Sequence, residues 1–107
     1  MIAGPAFVTP HAIHQFCARI APLSVAEARA VILAGLRYPC AVRFGRLRDG
    51  RRQADVGVDD GRYQFVVSVV SNPNPALLPA VVTVVPASKG RGRPRRRWDQ
   101  GGWRRVA

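Results

Sequence analysis

The stretch that decides the fold is Tyr63-Gln64-Phe65-Val66-Val67-Ser68-Val69-Val70. β-Branched and aromatic residues fill most of its positions, and these residue types favour the extended, pleated backbone of a strand. Turn-forming residues bound the stretch on both sides, with Asp59-Asp60-Gly61 before it and Ser71-Asn72-Pro73-Asn74-Pro75 after it. Its nearly continuous apolar character predicts the central strand of a sheet.

Three further runs predict strands that extend this sheet: Cys40–Arg48, Gln53–Val58 and Val81–Val85. In the first run Val42 and Phe44 occupy one face and Arg43 the other. Asp49-Gly50, between the first two runs, is a strong hairpin turn signal. The strands are therefore expected to follow one another as antiparallel neighbours.

Two helices are predicted before the first of these strands. Thr9 is a favourable N-cap, and Pro10 suits the first helical position. Apolar residues then recur at helical spacing, at Ile13, Phe16, Cys17 and Ile20. Ser24 and Glu27 have the spacing of a capping box, and Gly35 is expected to end the second helix. This order predicts an α+β domain, in which two N-terminal helices pack on a roughly four-stranded antiparallel sheet.

The composition indicates one folded domain with a polyanionic partner. The chain has 107 residues, 48% of them apolar, and its 17 basic and 6 acidic side chains give a net charge of +11. Such an imbalance favours nucleic acid as the partner. The sequence contains no apolar run long enough to span a bilayer and no recognisable signal peptide, and its two cysteines form no CxxC pair. We therefore expect a cytoplasmic protein with no membrane partner.

The positive charge is concentrated near the C-terminus. Residues 1–88 carry nine basic and five acidic side chains, a net charge of +4, whereas residues 89–107 carry eight basic side chains and one acidic side chain, a net charge of +7. The sequence thus predicts an α+β domain over residues 1–88 and an arginine-rich, nucleic-acid-binding tail over residues 89–107.

The centre of this tail, Arg91-Gly92-Arg93-Pro94 with basic flanks, resembles the AT-hook, a short DNA-binding motif. The resemblance implies an extended arm in a narrow A·T minor groove with the two arginines inserted. Glycine permits a close approach to the groove, and the narrow groove concentrates negative potential on arginine. The alternatives are a general phosphate-binding arm for DNA or RNA, a solvated tail and a protein-binding tail.

Two tryptophans, Trp98 and Trp103, lie near the end of the tail. They can stack on unpaired bases while neighbouring arginines bind the backbone. Alternatively, they fold back onto the sheet and pin the tail. The predicted nucleic-acid-binding residues are Arg91, Arg93, Arg95, Arg96, Arg97, Trp98, Trp103, Arg104 and Arg105.

A second resemblance covers roughly residues 7–86. Thr9-Pro10-His11-Ala12, followed by Phe16, Arg19 and a second helix, precedes strands that end in Val82-Thr83-Val84. This arrangement is similar to short bacterial and phage proteins related to RelE-like toxins of the barnase–colicin–RelE superfamily. The resemblance implies a RelE-like α+β fold, ribonuclease activity, and a toxin–antitoxin or mobile-element setting.

The same resemblance implies the catalytic residues. His11, Arg19 and Thr83 match the family pattern by position, whereas Gln15 stands where a basic residue is usual. In a metal-independent endoribonuclease, His11 would be the general acid or base and Arg19 would stabilise charge on the phosphorane. A helical wheel places His11 opposite the apolar stripe, so a surface histidine without a catalytic role is the alternative. We expect no cofactor and no metal site, since the histidine and cysteine spacing fits no common zinc pattern.

Three functions remain open at this stage. The first is a nucleic-acid-binding protein that acts as a RelE-like endoribonuclease toxin or mobile-element protein, with an antitoxin as a further partner. The second is a non-enzymatic DNA-binding or architectural protein that uses its AT-hook-like tail. The third is a phage-type interaction protein that docks on a host protein complex. The sequence leaves RNA and DNA open as the nucleic acid.

Overall fold

The structure, a computed structural model, describes residues 6–74, 76–87 and 102–106. Its elements in chain order are β1 (Phe7–Val8), α1 (Pro10–Arg19), α2 (Val25–Arg37), β2 (Ala41–Arg46), β3 (Arg52–Asp59), β4 (Gln64–Val70), β5 (Ala80–Pro86) and β6 (Arg104–Arg105). The predicted α+β class is therefore confirmed.

The described strands form one sheet in the order β1-β5-β4-β3-β2-β6. Strands β2 to β5 correspond to the four predicted runs, and each is antiparallel to the next. Two short strands extend the sheet at its edges, β1 parallel to β5 and β6 antiparallel to β2. The sheet is thus mixed and six-stranded rather than four-stranded and antiparallel, because strands of two residues carry no recognisable alternating pattern in the sequence.

Both helices pack on one face of this sheet and bury the main hydrophobic core. Phe16 of α1 meets Phe65 of β4 edge-to-face, with 5.3 Å between the ring centroids. Ile32 of α2 and Val67 of β4 are fully buried in the same cluster. Aromatic contacts of this geometry stabilise a core by about 0.5–1.5 kcal/mol beyond the area that they bury.

The local signals at both helix starts are confirmed. The Thr9 Oγ1 atom accepts a hydrogen bond from the main-chain N–H of Ala12, and Pro10 is the first residue of α1. Ser24 and Glu27 form the reciprocal capping box at the start of α2. These side chains supply partners for N–H groups that have none within the helix.

The predicted end of α2 at Gly35 is wrong, since the helix continues to Arg37. Gly35 is instead buried where α2 crosses β3. A Cβ atom at this position would lie only 2.7 Å from Cγ2 and 2.8 Å from Cγ1 of Val58. A β-branched side chain in a strand cannot easily move aside. The absence of a side chain at Gly35 therefore permits the close approach of helix and sheet.

We predict that Gly35→Ala destabilises the protein by about 1–3 kcal/mol through overpacking. In most helix interiors the same change stabilises by about 0.5–1 kcal/mol. Urea denaturation measures the free energy of unfolding. In the double variant Gly35→Ala/Val58→Ala the clash is absent, so the two losses are expected to be less than additive. Fully additive losses would show that the close approach is not the cause.

The opposite face of the sheet carries a smaller cluster of buried residues, made of Ala41, Val66, Ala87 and Trp103. Gly102 has a φ of +82°, which turns the chain onto this face. Trp103 then lies only 9% exposed, and the main-chain N–H of Val106 donates to the carbonyl of Cys40 over 2.8 Å. The segment that the sequence assigns to the basic tail therefore returns to the sheet at residues 102–106.

Candidate nucleic-acid interface

The β2–β3 hairpin brings the arginines of the domain together. Its turn is the three-residue loop Arg48-Asp49-Gly50, closed by a hydrogen bond from the main-chain N–H of Leu47 to the carbonyl of Arg51. Gly50 has a φ of +88°, which this loop type requires. The Asp49-Gly50 turn signal is thus confirmed. The resulting register places Arg46 directly opposite Arg52.

Arg46 and Arg52 form a like-charged cross-strand pair, an arrangement that destabilises a sheet. The nearby carboxylate of Asp49 does not compensate for it, because Asp49 pairs with Arg51 at 2.7 Å. Hydrogen bonds from the main chain and side chain of Arg51 lower the pKa of Asp49. None of the described carboxylates forms an ion pair with Arg46, Arg48 or Arg52.

The register of three strands aligns these arginines with an exposed aromatic ring. Arg104 of β6 pairs with Val42 of β2. Two residues further along β2, Phe44 pairs with Ala54 of β3. Alternate residues of a strand share a face. Four side chains therefore lie together on the part of the helix-bearing face that the helices leave exposed, and we call them the basic–aromatic stripe: Arg104, Phe44, Arg46 and Arg52.

The stripe borders a shallow depression open to solvent. It has a volume of about 390 Å³ and is lined by Phe44, Gly45, Arg46, Arg52 and Gln53. The guanidinium of Arg46 donates to the carbonyl of Gly50 over 3.3 Å, and the main chain of Arg52 exchanges hydrogen bonds with Ser71. The hairpin and the β4–β5 connection therefore hold both arginines at the rim of this depression.

On the opposite face, Arg43 has a carboxylate partner. Its guanidinium pairs with Asp55 at 2.9 Å and lies 4.8 Å from the centroid of the Trp103 ring. Asp55 also accepts hydrogen bonds from Gln53 and Ser68. Burial raises the pKa of Asp55, but the hydrogen bonds from these three side chains and the charge of Arg43 outweigh it, so the pKa lies below its usual value. Arg43 and Asp55 thus help to hold Trp103 on the sheet.

The lowered pKa of Asp55 predicts a pH dependence of stability. Its charged form is favoured by folding, so its contribution is fully present above about pH 4 and is lost as the pH falls through the lowered pKa. We expect Asp55→Asn to be less stable than the wild type at about pH 7, with a smaller difference at about pH 3. Urea denaturation at both pH values measures this. A difference that stays constant would contradict the prediction.

The two predicted catalytic residues lie at opposite ends of α1. His11 is exposed in the first turn, and Arg19 is the last residue of the helix. At a rise of about 1.5 Å per residue, they are about 12 Å apart along the helix axis. The structure therefore does not bring them together as one acid–cation pair. The other predicted match, Thr83, lies on β5, opposite Ser68 of β4.

Arg19 and Gln15 bind the main chain of β5 from the neighbouring helix. The Arg19 guanidinium donates to the Val84 carbonyl over 3.1 Å, and the Gln15 Oε1 atom accepts from the Val84 N–H over 2.8 Å. β1 pairs with β5 only as far as Val81, so Val84 lies on an edge with no strand beside it among the described residues. The two side chains take the place of that missing strand. A basic residue in place of Gln15 could not accept the hydrogen bond.

We predict that Gln15→Leu destabilises the protein by about 1–3 kcal/mol, because it leaves the Val84 N–H without its partner. Gln15→Glu keeps an acceptor oxygen and is expected to lose much less stability. His11→Leu, on an exposed position of the same helix, is the control for the change in helix surface. Thermal or urea denaturation distinguishes these variants, and equal losses for Gln15→Leu and His11→Leu would count against edge capping.

The structure describes three of the predicted nucleic-acid-binding residues. Arg104 lies in the basic–aromatic stripe, and Arg105 is exposed next to it on β6. Trp103 packs on the sheet, as in the fold-back alternative. The remaining residues lie outside the described part of the chain: Arg91, Arg93, Arg95, Arg96, Arg97 and Trp98.

Sequence reasoning missed the stripe as a unit. It named Arg104 and placed Phe44 on a strand face, but it did not join them to Arg46 and Arg52. The signal that was present is the spacing of Arg46 and Arg52 around Asp49-Gly50, which sets them opposite each other once the loop has three residues. The contribution of Arg104 depends on β6, whose two residues give no strand pattern.

Within residues 6–74, 76–87 and 102–106, no group of three or more His, Cys, Asp or Glu side chains could hold a metal ion. No helix in this part of the chain is long and apolar enough to cross a membrane. Comparison of the chain with protein-family models, with curated proteins and with solved structures finds no match.

Proposed function

We propose that the protein binds nucleic acid through the basic–aromatic stripe and the adjoining hairpin loop. The observation that carries this proposal is the position of Arg46 and Arg52, which lie opposite each other across the hairpin. Neither forms an ion pair with a described carboxylate. A phosphate between the two guanidinium groups converts their repulsion into attraction. Guanidinium groups also bind phosphate oxygens in a bidentate manner.

The charge of the whole chain supports the same partner. The net charge of +11 attracts polyanions over a long range, and eight of the basic residues follow Ser88. Arg48 in the hairpin loop is exposed next to the stripe, whereas Arg105, exposed on β6, pairs with Ala41 and so faces the opposite side of the sheet. From Arg46 to Val42, which is the level of Arg104, the stripe spans four residues of β2, a length of about 13 Å.

We predict that Arg46→Gln/Arg52→Gln weakens nucleic-acid binding and also stabilises the fold. Loss of two phosphate contacts reduces the slope of log K against log salt by about 2. Loss of the like-charged pair raises the free energy of unfolding by up to about 1 kcal/mol. Fluorescence anisotropy with labelled DNA and RNA at several salt concentrations measures the first effect, and urea denaturation measures the second.

The matched control is Arg29→Gln/Arg37→Gln, which removes the same charge from the exposed side of α2. It is expected to lower affinity only slightly, through the change in overall charge. Equal losses of affinity and of salt dependence in the two double variants would overturn the proposal, because they would show that only net charge matters.

Cleavage of RNA by His11 and Arg19 stays a prediction, as does a RelE-like arrangement of the fold. The order of two helices followed by an antiparallel meander supports the RelE-like arrangement. The separation of His11 from Arg19, and the hydrogen bond between Arg19 and Val84, favour binding over catalysis as the proposal. The AT-hook-like and host-complex hypotheses depend on the tail over residues 89–107 and also stay predictions.

A further inference from the structure

The exposed ring of Phe44 is the part of the stripe that charge alone does not explain. The side chain is 63% exposed, although it lies within a six-residue strand and on the same face as the core. Val42, two residues earlier on this face, packs against the core. Single exposed apolar side chains are common in folded proteins, so the neighbours of this ring, and not its exposure alone, indicate its role.

Along the stripe, arginine side chains lie on both sides of one aromatic ring. Side chains on one face of a strand recur about every 6.6 Å, so the ring of Phe44 has an arginine on each side along the sheet: Arg104 next to Val42, and Arg46 with Arg52 beyond it. A single nucleic-acid strand has the same order, with a base between successive phosphates. In a duplex the bases are already stacked on one another and their faces are not available.

We infer that the stripe binds single-stranded nucleic acid, with an unpaired base stacked on Phe44 and the flanking phosphates on Arg104, Arg46 and Arg52. This inference rests on the nucleic-acid binding proposed above. The depression beside Phe44 gives the base room to lie against the ring. Stacking on an aromatic side chain tolerates any base, since every base has a π-face.

Two other described aromatic residues, Trp103 and Tyr38, differ from Phe44 in their surroundings. Trp103 is buried under Arg43 and lies on the opposite face. Tyr38 is 73% exposed and has Arg37 at 5.8 Å from its ring centroid, but it is the residue that ends α2 and does not belong to a strand of the sheet. Tyr38 is therefore a matched control: an exposed ring beside one arginine, away from the stripe.

The test compares Phe44→Leu with Tyr38→Leu in the full chain. The probes are a labelled oligothymidylate and a labelled duplex of the same length, and fluorescence anisotropy gives the dissociation constants. We expect Phe44→Leu to weaken single-strand binding about tenfold and duplex binding much less, so that the preference for the single strand falls. Tyr38→Leu is expected to change neither. Phe44→Trp, which keeps a stacking surface, is expected to bind the single strand at least as tightly as the wild type.

Two results separate this inference from the proposed function. If Phe44→Leu binds both probes like the wild type while Arg46→Gln/Arg52→Gln weakens both, stacking is overturned and binding through the stripe stands. If neither variant differs from its control, both are overturned. Thermal denaturation of each variant establishes that it is folded. If Phe44→Leu does not fold, the test uses Phe44→Trp alone. Loss of single-strand affinity in that variant would then overturn the inference.

Discussion

The outer strands of a sheet carry main-chain N–H and C=O groups that need partners, and much of this fold depends on how that need is met. At the β5 edge, α1 meets it with side chains, since Gln15 and Arg19 bind both groups of Val84. Thr9 adds a third contact of this kind by donating to the Val81 carbonyl over 2.8 Å. These hydrogen bonds place α1 along β5, and α2 then crosses β3, where Gly35 allows it to pack closely.

At the other edge of the sheet, the main chain of β6 supplies the hydrogen-bond partners of β2. β6 pairs with only the first two residues of β2, Ala41 and Val42. Among the described residues, the rest of β2 pairs on one side only, with β3. Trp103 anchors β6 by packing on the opposite face of the sheet. The Arg43 guanidinium stacks on the indole ring, and its ion pair with Asp55 keeps it there. The two edges therefore differ in character: one is closed by polar side chains from a helix, and the other ends in a row of exposed arginines.

The sequence predicted the elements far better than it predicted their functional arrangement. The four long strands and both N-caps are recognisable because alternation, turn residues and caps are local signals. Gly35 was misinterpreted because a glycine near a helix end usually stops the helix, and only the position of Val58 reveals the other reason for it. Gln15 looked like a departure from a family pattern, although its acceptor oxygen is what the β5 edge needs. Register across the hairpin and pairing with β6 are long-range properties, so the alignment of Arg104, Phe44 and Arg46 was not visible in the sequence.

The repulsion between Arg46 and Arg52 has a thermodynamic consequence. For a ligand that neutralises the pair, relief of the repulsion between Arg46 and Arg52 is part of the free energy of binding. By linkage, the order of the β2–β3 hairpin and its occupancy by an anion are then coupled, since whatever binds only the folded form shifts the folding equilibrium toward it. An anion bound between Arg46 and Arg52 would therefore order the β2–β3 hairpin as it binds.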